Sequence, residues 1–142
     1  ATIPVTLKTV SDDLGVKKDV SSFVIPVGAT INMDGTAIMQ GLATMFIAST
    51  AGVDLSIVEY VQIVMLAMVA SIGAAAVPSA GTITLALILS SLGLPLDAIG
   101  LILAVDRILD MIRTSVNVCG DAAVSCIVAV SEDELDYQIY NN

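Results

Sequence analysis

Asp106, Asp110, Arg113, Asn117 and Asp121 follow one another at intervals of four, three, four and four residues within a mostly apolar stretch, Gly100 to Val130. At about 100° per residue on a helix they share an arc of roughly 80°, and Thr114 extends it. Charge in hydrocarbon is costly, so such a stripe must face protein, water or a ligand. Arg113 offers a planar fork able to hold a carboxylate through two parallel hydrogen bonds. Asp110, one turn away, sets a negative charge beside it. A zwitterion carrying an extra carboxylate would satisfy both. The apolar segments hold Asp34, Asp106, Asp110 and Asp121 against Arg107 and Arg113, two acids more than bases. These acids must protonate or bind cations. An oxygen-rich set without His suits a hard cation such as Na⁺.

Composition says where such a stripe must sit. The chain has 142 residues, is 56% hydrophobic and 13% charged, and its mean hydropathy is +0.94. A soluble domain carries about 25% charge, so the sequence reads as a membrane protein. The net charge of −9 owes four acids to the tail, Glu132, Asp133, Glu134 and Asp136, which is expected to be solvated or frayed. Five Lys plus Arg supply no nucleic-acid surface. The absence of His excludes a His-centred triad and a His-ligated metal. Cys119 and Cys126 lie roughly 10 Å apart on one helix, too far for a disulfide, and read as small buried hydrophobes. Opening on Ala1-Thr2-Ile3-Pro4, the sequence reads as a piece of a longer protein.

The elements follow from hydropathy. Residues 1–22 are mixed and hold Lys8, Lys17 and Lys18, which places them on the cytoplasmic side. Phe23 to Ala51 is apolar at both ends but interrupted by Asn32-Met33-Asp34-Gly35-Thr36. Two half-helices with an unwound joint are predicted, since irregular backbone at membrane depth is tolerated where protein or a cavity surrounds it. Leu55 to Val77 and Thr82 to Leu92 flank Pro78-Ser79-Ala80-Gly81. The second arm, roughly 17 Å as helix, falls short of a hydrocarbon core of about 30 Å. A re-entrant hairpin is predicted, its first arm packed closely through Ser71, Gly73, Ala74, Ala75 and Ala76. The loop Gly93 to Asp97 lacks Lys and Arg and belongs outside, so the last helix returns the acidic tail to the cytoplasm. The fold class is an all-α membrane protein: a discontinuous transmembrane helix, a re-entrant hairpin and a polar-faced final helix. Discontinuous helices of this kind present N–H groups to anions and free carbonyls to cations.

The runs Gly28-Ala29-Thr30-Ile31-Asn32-Met33-Asp34-Gly35-Thr36 and Asp110 to Asp121, with the tip Ala76-Val77-Pro78-Ser79-Ala80-Gly81, resemble the sodium-coupled glutamate/aspartate transporters. The resemblance covers nearly the whole chain in the family's order. It implies the C-terminal part of the transport domain of an inverted-repeat transporter. Residues 1–20 would be the second arm of a first re-entrant hairpin, 23–51 the broken transmembrane helix and 55–93 the second hairpin. Residues 98–130 would be the last transmembrane helix and 131–142 an acidic cytoplasmic tail. The scaffold domain and the rest of the first hairpin lie outside the chain, and a homotrimer in a plasma or inner membrane is implied.

The resemblance also implies roles. Arg113 would clasp the substrate's side-chain carboxylate with help from Thr36, and Asp110 would take its amino group. Asn117 and the backbone of Val77, Pro78 and Ser79 would hold the main-chain carboxylate, with Thr114 beside them. One sodium ion would use Gly28, Asn32, Asn117 and Asp121. A second would use Thr30, Met33, Ser71, Ile72 and Ala74, and a third Asn32 and Asp34. No organic cofactor is implied. Arg113 argues for acidic substrates, and Asp121 with Met33 for sodium. Gln40 stands where proton- and potassium-coupled relatives carry Glu, which speaks against such countertransport.

Plainer readings stand beside these. Thr114 and Ser115 serve equally well as packing hydroxyls. Asp106 and Arg113 suit a structural ion pair, while Arg107 suits snorkelling or a pair with Asp110. The expected function is sodium-coupled symport of L-aspartate or L-glutamate across the bilayer. The alternatives are a dicarboxylate or neutral amino acid carrier, and a passive channel. An intramembrane aspartyl protease is disfavoured, because Asp110 and Asp121 share one helix about 16 Å apart and no Gly-x-Gly-Asp run precedes either. The chain is expected not to be an enzyme.

Overall fold

The computed structural model describes residues 2–73 and 80–141. Its elements are helices α1 Ile3–Asp12, α2 Lys18–Ile31, α3 Asp34–Thr50, α4 Ile57–Gly73, α5 Ala80–Ser91, α6 Ile99–Leu103, α7 Asp106–Ser131 and α8 Tyr137–Tyr140, with a 3₁₀ turn at Leu96–Ala98. Among the described residues there is no strand, only an isolated antiparallel bridge between Val16 and Leu135.

Local chemistry sets these boundaries. Pro4 sits in the first turn of α1, where its missing N–H costs nothing. Pro26 lies inside α2 and removes a ladder donor there; one turn later Thr30 Oγ1 donates 2.8 Å to the Val27 carbonyl. The helix ends at Asn32, whose φ of −98° and ψ of 67° leave helical space. Met33 follows at φ −108°, ψ 54°, and α3 restarts at Asp34. An acid in that first turn meets the positive end of the helix dipole. α3 and α5 end alike, on Gly52 and Gly93, both at φ +67°. There Val53 N–H bonds Ala48 O at 2.9 Å and Leu94 N–H bonds Leu89 O at 2.9 Å, the six-to-one closure of a glycine-terminated helix.

The discontinuous helix is present, with a shorter joint and an earlier start than the sequence predicts. Its first half begins at Lys18, not Phe23, and only Asn32 and Met33 are unwound. Asp34, Gly35 and Thr36 are already helical. The last apolar segment is not one helix over 98–130. It breaks at Ala104–Val105, where Val105 N–H turns to Ile102 O at 3.1 Å, and α7 restarts with Asp106 in its first turn. The two arms expected of the hairpin are helices α4 and α5, which pack against each other. Its tip, including Ala74, Val77, Pro78 and Ser79, lies outside the described residues.

Among the described residues two apolar clusters hold the helices. Ala43, Ile47 and Ala48 of α3 meet Leu85 and Leu89 of α5 and Ile102 of α6. Val10 of α1, Val16, Ile25 of α2 and Ala129 of α7 form the other. α3 packs on α4, α5 and α7, and α7 packs on α1, α2 and α3. The interior is otherwise polar for so apolar a chain. Thr36, Gln40, Thr44, Ser71, Asp121 and Ser125 are buried, while Phe23, Ile57 and Met111 are at least 70% exposed. Large apolar faces turned outward require lipid or protein cover. α7, with 26 residues and an apolar window of mean hydropathy 1.4, extends about 39 Å and exceeds the hydrocarbon thickness.

The C-terminal segment is docked, not frayed. Lys17 N–H donates to Glu134 O at 3.1 Å and Asp136 N–H to Gly15 O at 2.8 Å. Lys17 and Glu134 form an ion pair, and the carboxylate's hydrogen bond and charge hold the Lys17 ammonium above its ordinary pKa. Partly buried Leu135 adds its side chain to the α1–α2–α7 cluster, an anchor that outweighs the segment's negative charge. Gly15 adopts φ +70°, and a Cβ there would stand 2.5 Å from the Asp136 carbonyl oxygen. Gly15→Ala should therefore strain the turn by about 1–2 kcal/mol and push the segment off. Hydrogen exchange in the full-length protein checks this: exchange at the Asp136 amide should accelerate, while that of α7 amides near Ser125 stays slow.

Candidate substrate and ion site

The joint between α2 and α3 lies against the middle of α7, and the stripe residues complete it. α3 starts without a side-chain cap of its own. Its first N–H groups have no partner within the helix, and in apolar surroundings each needs one. Asn117 supplies it from α7. Its Oδ1 accepts from the Gly35 N–H at 2.8 Å, and its Nδ2 donates to Thr36 Oγ1 at 3.4 Å. One turn further along α7, Asp121 Oδ1 accepts from Asn32 Nδ2 at 2.9 Å. Asp121 is only 5% exposed, so the Asn32 amide meets an enclosed carboxylate.

Close backbone approach makes these reaches possible. A Cβ on Gly28 would strike the Asp121 carboxylate, and one on Gly35 would strike the Arg113 carbonyl. A Cβ on Gly120 would lie 2.9 Å from Asn32 Nδ2 and 3.6 Å from Asp34 Oδ2. Asn32 and Asp34 thus converge on the Asp121 end of α7. The break in α2 also frees last-turn carbonyls from the helical ladder. Carboxylate, amide and carbonyl oxygens are the ligand types a hard monovalent cation takes.

The other end of the stripe is cationic. The Arg113 side chain is 14% exposed and its ion-pair partner Asp110 53% exposed, so the guanidinium is enclosed while the carboxylate opens outward. Their bond joins Arg113 Nη2 to Asp110 Oδ1. Arg113 Nη1 lies beside the first turn of α5, where a Cβ on Gly81 would approach it to 2.6 Å. An apolar groove of about 270 Å³ adjoins it, lined by Gly35, Ile38, Phe46, Leu109 and Val116 among others. A second groove, of about 330 Å³, has Gly28, Asn32 and Asp121 in an otherwise apolar wall that includes Phe23 and Val124.

The residues predicted from sequence are thus only partly gathered. Thr36, Asn117, Gly28, Asn32, Asp34 and Asp121 surround the joint, and Arg113 with Asp110 forms its charged flank. Met33 is half-buried in the joint, and Thr114 is half-buried next to Arg113 on α7. The set proposed for a second ion is less assembled. Thr30 is exposed and its hydroxyl serves its own helix. Ser71 is buried, with its hydroxyl on Met68 O at 2.8 Å, and Ile72 is 53% exposed. α2 and α4, which carry these residues, do pack together. Arg113 pairs with Asp110, not with Asp106 seven residues away, and Arg107 is not the partner of Asp110; the shorter three-residue reach along one helix wins. Sequence reasoning missed Gly81 and Gly120 as points of close approach, and Thr84 as the residue that receives Gln40.

A family model described as the sodium:dicarboxylate symporter family matches residues 1–131. The chain is 52% identical over 128 residues to an excitatory amino acid transporter of Caenorhabditis elegans, covering 90% of this chain and 25% of that protein. It is 52% identical over 136 residues to excitatory amino acid transporter 2 of Mus musculus, covering 95% and 24%. Against excitatory amino acid transporter 3 of Mus musculus the figures are 50% over 137 residues, 96% and 26%. The chain spans about a quarter of the length of these curated relatives.

Removing the Asn117 bracket should unsettle the joint. Asn117→Ala leaves the Gly35 N–H unpaired at a cost of about 1–3 kcal/mol. Asn117→Asp keeps an acceptor for it. Thermal melting of the detergent-solubilised full-length protein should show a clear loss for Ala and a smaller one for Asp; equal losses would mean that the Gly35 bond is not the anchor.

Proposed function

This chain belongs to the sodium:dicarboxylate symporter family and is part of an integral membrane protein; from that premise we propose that it is the C-terminal part of the transport domain of a sodium-coupled carrier for L-aspartate or L-glutamate. The observation that carries the substrate class is the enclosed Arg113 guanidinium with Asp110 beside it on the open side. A dicarboxylic amino acid presents a side-chain carboxylate to Arg113 and an ammonium group to Asp110. In binding it takes over both charges that now satisfy each other, so substrate exchanges one ion pair for two. Thr36 assists Arg113. Asn117 and the hairpin tip at 77–79 hold the main-chain carboxylate, with Thr114 beside them.

Sodium is read into the Asp121 end. The buried carboxylate, the Asn32 amide and the Gly28 backbone approach one another there, and a cation among them offsets the cost of burying Asp121. Asn32 and Asp34 form part of a further site. Thr30, Met33, Ser71, Ile72 and Ala74 form another, whose α2 and α4 parts would need to close on each other. A charged substrate with its co-ions can then cross as one neutralised unit. Gln40 is wholly buried and cannot titrate, which supports coupling to sodium without proton exchange. In this reading the carrier assembles as a homotrimer through a scaffold outside the chain, works by alternating access and keeps its C-terminus in the cytoplasm.

A dicarboxylate without an amino group is the second reading, since Arg113 would serve it equally and the family's description names that class. Asp110 separates the two, because a dicarboxylate has nothing to pair with it. The test is uptake of labelled L-aspartate and of succinate into proteoliposomes of the full-length parent, under an inward gradient of Na⁺, choline or protons. Concentrative L-aspartate uptake with Na⁺ alone is expected, and Arg113→Ala should reduce kcat/KM roughly 30-fold or more. Preference for succinate would move the substrate class, and equal drive by protons would overturn the sodium assignment.

A further inference from the structure

We propose that Gln40 of α3 and Thr84 of α5 are a positioning pair that holds the first turn of α5 against the Arg113 guanidinium and thereby sets affinity for the substrate's side-chain carboxylate, although neither residue touches substrate. This rests on the acidic-substrate reading above. Gln40 is fully buried. Its Nε2 donates to Thr84 Oγ1, and Thr84 Oγ1 in turn donates to the Gly81 carbonyl at 3.1 Å. Gly81 is where α5 meets Arg113: a Cβ there would stand 2.6 Å from Nη1, so the guanidinium would have to move aside. A continuous path therefore runs from the interior of α3 through one hydroxyl to the backbone beside the guanidinium.

Both ends of the path are held. Gln40 is fixed on α3, where its own carbonyl accepts from buried Thr44 Oγ1 at 2.8 Å. Among the described residues its Oε1 meets no donor, so the described hold of this amide on α5 runs through Thr84. About two turns of α5 lie beyond Thr84, and Leu85 and Leu89 seat that helix in the α3 cluster. Apolar packing of that kind tolerates small slides and rotations, whereas a hydrogen bond between fixed groups specifies register. A displaced first turn of α5 would let Arg113 swing fully onto exposed Asp110, where its fork is spent within the protein.

The test uses the full-length parent in proteoliposomes with an inward Na⁺ gradient. KM is measured for L-aspartate, and inhibition constants for L-asparagine, which matches aspartate in size but lacks the carboxylate that Arg113 would hold. Thr84→Val keeps the shape and removes the hydroxyl. It should raise the aspartate KM about 5–10-fold, the scale of one lost buried hydrogen bond, with little change for asparagine. Thr84→Ser should return KM to within about twofold. The double variant Gln40→Leu with Thr84→Val replaces both polar partners by apolar ones, which is near neutral for folding, and should show the same selective rise. An unchanged KM in the double variant, or equal weakening of aspartate and asparagine, would overturn the pair's role. Absence of acidic amino acid uptake by the unmodified protein is a different result, because it would remove the substrate reading itself.

Discussion

The bond from the Gly35 amide to Asn117 is the constraint on which the rest of this architecture depends. A helix interrupted in apolar surroundings exposes backbone donors and acceptors that water cannot reach, and the interruption persists only if another element supplies partners. α7 supplies them from a ladder of amide, carboxylate and guanidinium at four-residue steps. The same ladder is what a substrate and its ions would address. In the proposed reading, stability of the joint and chemistry of the site are one set of hydrogen bonds, and binding would act by exchanging partners within it.

Glycine placement is the other half of this design. Gly28 and Gly120 let the broken helix and α7 come close enough for short side chains to bridge them, as Gly35 does at Arg113 and Gly81 does for α5. Asn and Asp have little reach. With side chains in these gaps, the amides of Asn32 and Asn117 would fall short and the interruption would be left unsatisfied. The outer faces face no such demand, and they carry the Leu, Ile, Val and Phe that give the chain its hydropathy.

Much of this was legible in the residues. An Asn-Met-Asp-Gly run inside an apolar stretch marks a broken helix, because an unbroken one would leave its polar groups in hydrocarbon. The period of the polar stripe identified its helix and, apart from exposed Asp110, the face it turns inward. What remained illegible depended on contacts between distant parts. The ends of α2 and α3 shifted because the joint is capped from α7, which local pattern does not reveal. The restart at Asp106 goes with 3₁₀-type bonds on either side of it, Val105 N–H to Ile102 O and Ile108 N–H to Val105 O. The docked C-terminal segment depends on Gly15, whose positive φ looks like any other turn, and on Leu135 finding a distant apolar cluster. The Arg113–Asp110 pairing was one of several that charge spacing allows, and geometry chose among them. Thr84 carries no sequence signal at all; its part follows only from the position of Gln40.

The partner of Gly35 lies 82 residues further along the chain. A ribosome adds about 5–20 residues each second, so Asn117 emerges roughly 4–16 s after the amide it must satisfy. For that interval the half-made joint has no completed ladder to lean on, and the insertion machinery, a water-filled vestibule or neighbouring segments must shelter it. A separation that is harmless in the finished protein is thus a burden during biogenesis. Slowing synthesis between α3 and α7 would lengthen the exposure, and defects of assembly should be sought there before defects of transport.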